Sequence, residues 1–322
     1  MGDKAVLLLN LGSPDSASVP DVRKFLRKFL GDPRVLPLPF PLRKILIEGV
    51  ILPLRSKKSA ARYEKILTNG ALPLVAETER LRACVEKFLG EKILVRAAMR
   101  HGNPSVECAA RELRDAGARK IFVVPLFPQR AASSWDSAVE HAQKNFKKTA
   151  PRCCVHFIKP FFAERAYIDA LAGGVSRALA GNVFEKILVS FHGIPAGGSD
   201  AASYRAECEK TAELLADALG FSRERYETTF QSRFGRGKWL EPATDFRLRA
   251  LPREGVSRVA VVAPGFVADC LETLEELGIE GKKKFLSAGG KEFFLVPCLN
   301  ADPAFARFIA NSAAAFFEEK AA

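Results

Sequence analysis

The chain holds four histidines, and one of them, His192, ends an apolar run in "KILVSFHGIP" (186–195). An imidazole at a strand end can accept a proton, ligate a metal or cap the strand by hydrogen bonding. Gly193 behind it allows close approach of backbone or ligand, and Pro195 stiffens the exit. No GxSxG turn precedes it and Ser190 lies two residues upstream, so a hydrolase triad fits poorly. A second set of groups occurs in "APGFVADCLETLEELG" (263–278). On an α-helix, Asp269, Glu272 and Glu276 (spaced i, i+3, i+7) would share one face. Like charges so placed repel unless a cation or a proton path compensates; the alternative is a solvated acidic face. One imidazole with carboxylates is an incomplete ligand set for a divalent metal, or equally a base with its proton relay. Spacing alone leaves both roles open.

A third stretch, "LPLPFPLRKILIEGVILPLRSKKSAARY" (36–63), is apolar, proline-broken and edged by Arg43, Lys44, Arg55, Lys57 and Lys58. It reads as a connector with a buried helix at 43–51, or as an apolar lip with a basic rim. Such a lip suits an apolar carboxylate ligand or an anionic lipid surface.

Positioning these groups falls to eight short apolar runs: 5–11, 93–99, 120–127, 153–158, 187–191, 226–231, 259–263 and 293–297. They are unbroken rather than alternating, as expected of strands buried on both faces of a parallel sheet. Segments of helical spacing such as 105–116 and 203–218 lie between them. Four strands fall in each half. The halves also echo each other: "LRDAGARKIFVVPLF" (113–127) aligns with "LPREGVSRVAVVAPGF" (251–266) as helix end, glycine turn, basic residue, strand and proline. The expected fold class is therefore α/β, a duplicated open-sheet domain. Ligands of such folds sit beyond the carboxyl ends of the strands. Leu11, Arg100, Phe127, His192, Gln231 and Pro264 all lie there.

A length of 322 residues favours two domains. Apolar content of 48 % and charged content of 27 % indicate a globular chain. The formal net charge of +12 favours anionic partners. Basic residues are interspersed with acidic ones, with no run of five or more, which argues against nucleic acid. The seven cysteines show no CxxC pairing, so a disulfide framework or a cysteine-rich metal site is not expected and a reducing cytoplasm is. "AVLLLNLGSP" reads as a strand and turn rather than a signal core, and no apolar stretch is long enough to span a bilayer.

In chain order, "VLLLNLGSPDS", "VRKFLRKFLGDPRV", "GVILPLRS", "RHGNPS", "VVPLFPQ", "SFHGIP", "TFQSRFGRGKWLEP" and "PGFVADCLETLEELG" resemble the segments of the ferrochelatase family over about residues 6–300. The resemblance implies two Rossmann-like domains, each a four-stranded parallel sheet flanked by helices. They would span 1–165, with the apolar lip, and 166–303, with the His and Glu site residues. A C-terminal helix at 304–322 would pack back on the first domain. The implied activity is that of a lyase inserting Fe²⁺ into protoporphyrin IX with release of two protons. By the same resemblance His192 is the pocket histidine and Glu272 the carboxylate facing it, both catalytic and metal-binding. Asp269 and Glu276 would form an acidic proton path, and Leu11, Tyr63, Arg100, Gly193 and Pro264 would contact the porphyrin. An imidazole suits proton acceptance because its unperturbed pKa is about 6.5. Whether His192 ligates iron, takes protons or does both in turn stays open.

Iron is then a substrate and no cofactor is expected. No cysteine-bearing tail follows Asn300, so no iron–sulfur cluster is expected either. The chain departs from the family at His101, where a tyrosine is usual, at Arg130, Trp135 and Asp136, and at Leu72; these bear on details of the pocket. The lip and "ADCLETLEE" look more like the protoporphyrin-using type than the coproporphyrin type. A cobalt or nickel chelatase of the same fold and a non-catalytic porphyrin carrier are the rival readings. The expected setting is cytoplasmic, as a monomer or weak dimer with peripheral membrane contact.

Overall fold

Lys4, Lys120, Lys186 and Arg258 each open a strand whose following residues are almost all buried. In the computed structural model, which describes residues 2–233 and 237–319, these are the inner strands of two parallel sheets. The first sheet has the order β2-β1-β3-β4, with β1 at Lys4–Asn10, β2 at Leu94–Met99, β3 at Lys120–Pro125 and β4 at Cys154–Phe157. The second repeats it as β6-β5-β7-β8, with β5 at Lys186–His192, β6 at Tyr226–Gln231, β7 at Arg258–Val262 and β8 at Glu292–Leu295. All six pairings are parallel. The echoed segments become β3 and β7, which hold the same place in the two sheets. Gly117 and Gly255 in the preceding turns share a left-handed backbone, with φ of 88° and 91°, a conformation that costs glycine little. Two four-stranded parallel sheets flanked by helices, duplicated, are the fold.

Contacts divide the chain into two units. One comprises Met1–Phe127, Ala132–Lys159 and Ala306–Ala322; the other comprises Pro128–Ala131 and Pro160–Phe305. In the first unit β1 leads to α1 (Val19–Leu30), whose N-cap Ser18 accepts the Asp21 N–H. Then come α2 (Phe40–Leu46), a π-helical segment at Ile47–Ile51 and α3 (Leu52–Glu64), which run on as one helix. This corrects the proline-broken reading. Pro41 sits in the first turn, and Pro53, which lacks an N–H, falls at the junction where the π segment passes into α3. After α4 (Pro73–Leu89), α5 (Val106–Asp115) and α6 (Ser137–Thr149) cover the sheet. Their Ala109, Ala110, Leu113, Ala142 and Phe146 pack on Leu7, Leu9, Ile121 and Val123.

In the second unit α7 (Arg165–Leu179), α8 (Ala201–Leu219) and α9 (Thr244–Ala250) accompany the sheet. A π-helix at Leu271–Gly281 passes directly into α10 (Lys282–Ser287). Leu188, Val259 and Val261 form this unit's core with Leu248, Leu277 and Phe285. The last helix, α11 (Pro303–Glu319), joins the first unit from Ala306 onward. There Phe316 stacks on His156 at 4.6 Å. No helix among the described residues is long and apolar enough to cross a membrane.

Candidate active site

In each sheet the first strand has its successor on one side and the third strand on the other, which creates a switch point where the chain direction reverses. In the second unit that point lies between β5 and β7. His192 is the last residue of β5, half-buried, and Pro264 and Gly265 follow β7. The His192 backbone is fixed by the buried Tyr204, whose hydroxyl donates to the His192 carbonyl at 2.8 Å. Its ring Nδ1 lies 2.7 Å from the Gly193 carbonyl. A carbonyl only accepts, so Nδ1 carries a proton, and in the neutral ring Nε2 is then the nitrogen with the lone pair. Phe266, just past Gly265, tilts against the ring at 6.3 Å. Gly193 is close-packed, since a Cβ there would come within 2.8 Å of the Gln231 carbonyl. Pro264 is held by the Tyr167 hydroxyl, which donates to its carbonyl at 2.6 Å.

The carboxylates are arranged differently from the α-helical expectation. Asp269 precedes the helix and does not share its face with Glu272 and Glu276. The helix begins at Leu271 behind the N-cap Cys270, and it is π rather than α. A turn closed by i→i+5 bonds takes in more residues than an α turn. Asp269 is buried and anchors the helix start. It accepts the Thr273 hydroxyl at 3.0 Å and the Asn300 amide at 2.7 Å, while its own N–H donates to Asn300 Oδ1 at 2.8 Å. Glu272 lies in the first turn, half-buried, and its carbonyl accepts Gln231 Nε2 at 2.8 Å. Gln231 is the β6 residue paired with His192. Ser232, which has φ of 67°, donates both its N–H and its hydroxyl to the Glu276 carboxylate, at 2.7 and 2.8 Å. The end of β6 is thus tied to both glutamates. Burial, reinforced by the neighbouring Glu272, pushes the Cys270 thiol well up, so it remains a neutral thiol.

Of the first-unit residues, Leu11 and Arg100 lie just past strand ends and Tyr63 lies on α3. Leu11 follows β1, and its carbonyl accepts the His101 N–H at 2.8 Å. Tyr63 on α3 is buried with its ring edge-on to Phe25 at 6.5 Å. Arg100, just past β2, donates to Asp32 at 2.6 Å and to Ser137 at 2.9 Å. Burial opposes ionisation of Asp32, yet hydrogen bonds from Ser137 and the Arg34 N–H hold its carboxyl below the usual range. His101, 2 % exposed, has Nε2 3.9 Å from Asp32 and its ring edge-on to Phe29. Burial, with Arg100 adding, lowers its pKa to about 3. In the helix formed by 40–64, Phe40, Leu42, Ile45, Val50 and Leu54 are exposed. Arg43 is not a rim cation there, because it is buried with its guanidinium on the Leu36 and Leu38 carbonyls.

Gln231, Ser232, Asp32 and Ser137 organise these groups and carried no assigned role from sequence. Gln231-Ser232 was legible as a strand end only, and Asp32 only as part of "FLGDPRV". Phe234, Gly235 and Arg236 of the motif "TFQSRFGRGKWLEP" lie outside the described residues, as does the end of the 304–322 segment, residues 320–322.

Comparison with known proteins agrees with this arrangement. The ferrochelatase family model matches residues 3–315. A ferrochelatase of Neisseria meningitidis is 42 % identical over 301 residues, 93 % of this chain and 89 % of the relative. One of Azotobacter vinelandii is 40 % identical over 335 aligned positions, covering 97 % of this chain and 98 % of the relative. Among solved structures, SirB from Bacillus subtilis with Fe³⁺ superposes with a TM-score of 0.56 at 14 % identity, covering 97 % of this chain and 94 % of that one. At that identity it speaks for the fold alone. With a family match over nearly the whole length and relatives at this level, the chain belongs to the ferrochelatase family, metal chelatases that insert iron into porphyrin.

Proposed function

We propose that this chain inserts Fe²⁺ into protoporphyrin IX, with His192 accepting pyrrole protons and His192 and Glu272 binding the metal in passing. The observation that carries the reading is the 2.7 Å contact of His192 Nδ1 with the Gly193 carbonyl. Nδ1–H is given to that carbonyl, so in the neutral ring Nε2 is the nitrogen left to take a proton or a metal. Insertion converts a neutral porphyrin and Fe²⁺ into a neutral metalloporphyrin and two protons, so a base must take each proton and hand it on. Glu272 and Glu276, both tied to the end of β6, supply carboxylates for that transfer. Asp269, bound to Asn300 and Thr273, is assigned to anchoring the helix rather than to the proton path. Two protein ligands with open positions hold a substrate metal loosely enough to release it.

Gly193 and Pro264, beside His192, are proposed porphyrin contacts, and Leu11, Tyr63 and Arg100 are proposed as contacts on the family resemblance alone. The exposed apolar side chains of 40–54 favour the porphyrin with fewer carboxylates and support peripheral contact with a membrane surface. Seven unpaired cysteines support a reducing, cytoplasmic setting. The test is anaerobic incubation of purified protein with Fe²⁺ and either protoporphyrin IX or coproporphyrin III, following metalloporphyrin absorbance. The expected result is metallation with higher kcat/KM for protoporphyrin. Preference for coproporphyrin would replace the substrate, and metallation of neither would sink the enzyme reading.

A further inference from the structure

Resting on that reading, we infer that Gln231 is a positioning residue for metal insertion, setting where the Glu272 turn of the π-helix lies relative to His192. Gln231 is 3 % exposed and is the residue of β6 in register with His192. Its amide spans two elements. Nε2 donates to the Glu272 carbonyl at 2.8 Å, and Oε1 accepts the Ser190 hydroxyl at 2.9 Å. Because the Glu272 carbonyl can only accept, the amide has one orientation: a flip would set Oε1 against that carbonyl and break the tie to the helix.

Ser190 stands on β5 two residues before His192, so Gln231 ties the strand bearing the base to the helix turn bearing the carboxylate. Ser190 is itself held, with Thr244 Oγ1 2.8 Å away and Thr229 Oγ1 2.9 Å beyond that. Thr229, Thr244 and Ser190 are all fully buried, so the hydroxyl chain is shielded from competing water. A π-helix needs such external ties, because i→i+5 bonding is poorly populated on its own. Gln231 touches neither metal nor porphyrin in this account; it acts through Glu272.

The experiment compares the parent with Gln231→Met, which keeps bulk and removes both hydrogen bonds, and with Ser190→Ala, which frees the amide from β5. Circular dichroism and thermal unfolding establish folding. Initial metallation rates at varied Fe²⁺ and varied porphyrin give separate kinetic constants, and fluorescence titration gives porphyrin affinity. The expected result for Gln231→Met is a fall in metal kcat/KM on the order of 100-fold, a displaced pH–rate profile and unchanged porphyrin affinity. Ser190→Ala should show a smaller loss of the same kind, and it carries the test if Gln231→Met does not fold. A parental metal kcat/KM in the folded variants, or an equal loss of porphyrin affinity, would overturn the inference while leaving the proposed function standing. A parent that metallates nothing would instead overturn that function and this inference with it.

Discussion

With Nδ1–H of His192 engaged by the Gly193 carbonyl, the free ring nitrogen depends on a backbone turn that only a residue without Cβ fits. Gly193→Ala would drive a methyl to 2.8 Å from the Gln231 carbonyl. Overpacking of this kind costs about 1–3 kcal/mol, and urea denaturation should show that loss together with slower metallation. Unchanged stability would mean that the strand ends can separate freely. His101 supplies a different residue-scale prediction. Its folded pKa of about 3 lies below the unfolded value of about 6.5, so the unfolded chain binds the extra proton first. Stability is therefore full above pH ~6.5 and falls by about 1.4 kcal/mol per pH unit as pH drops towards 3. His141, lowered by burial to about 4, adds in the same direction. His101→Phe should flatten the acid limb of a stability–pH curve; a curve superimposable on the parent's would contradict the assignment.

At the scale of elements, the central strands were legible because burial on both faces forces unbroken apolar runs, and their observed ends lie within two residues of those expected. The π-helix was not legible. No composition marks i→i+5 bonding, so Asp269, Glu272 and Glu276 looked like one α-helical face. The Asp32–Arg100 pair is 68 residues apart in sequence, Asp32 just past α1 and Arg100 just past β2, and becomes visible only once the fold brings those two ends together. Gln231 likewise means little until register places it beside His192. Asp269, by contrast, was noticed for its charge and turns out to fasten the helix start. Asp269→Ala should leave Asn300 and Thr273 without their buried partner and destabilise the protein by about 1–3 kcal/mol. Chemical denaturation would measure it, and a loss within error of zero would remove the anchoring role.

For the whole molecule, duplication supplies two copies of the same sheet order, yet the base and the carboxylates proposed for chemistry all belong to the second unit. The first unit is distinguished by the exposed apolar residues of 40–54, next to Lys44, Lys57 and Lys58. With a chain charge of +12, binding to anionic vesicles should weaken as salt rises. Phe40→Glu with Leu54→Glu should lower vesicle affinity, read by co-sedimentation, by about 100-fold or more, at roughly 1.5–3 kcal/mol per large apolar side chain withdrawn from lipid. Co-sedimentation equal to the parent's would assign those side chains elsewhere. The central claim, that His192 is the group through which porphyrin protons leave as iron enters, is tested most directly by one rate. Anaerobic Fe²⁺ insertion into protoporphyrin IX by His192→Ala, followed by absorbance beside the parent, should be slower by about 100-fold or more; insertion at the parental rate would contradict it.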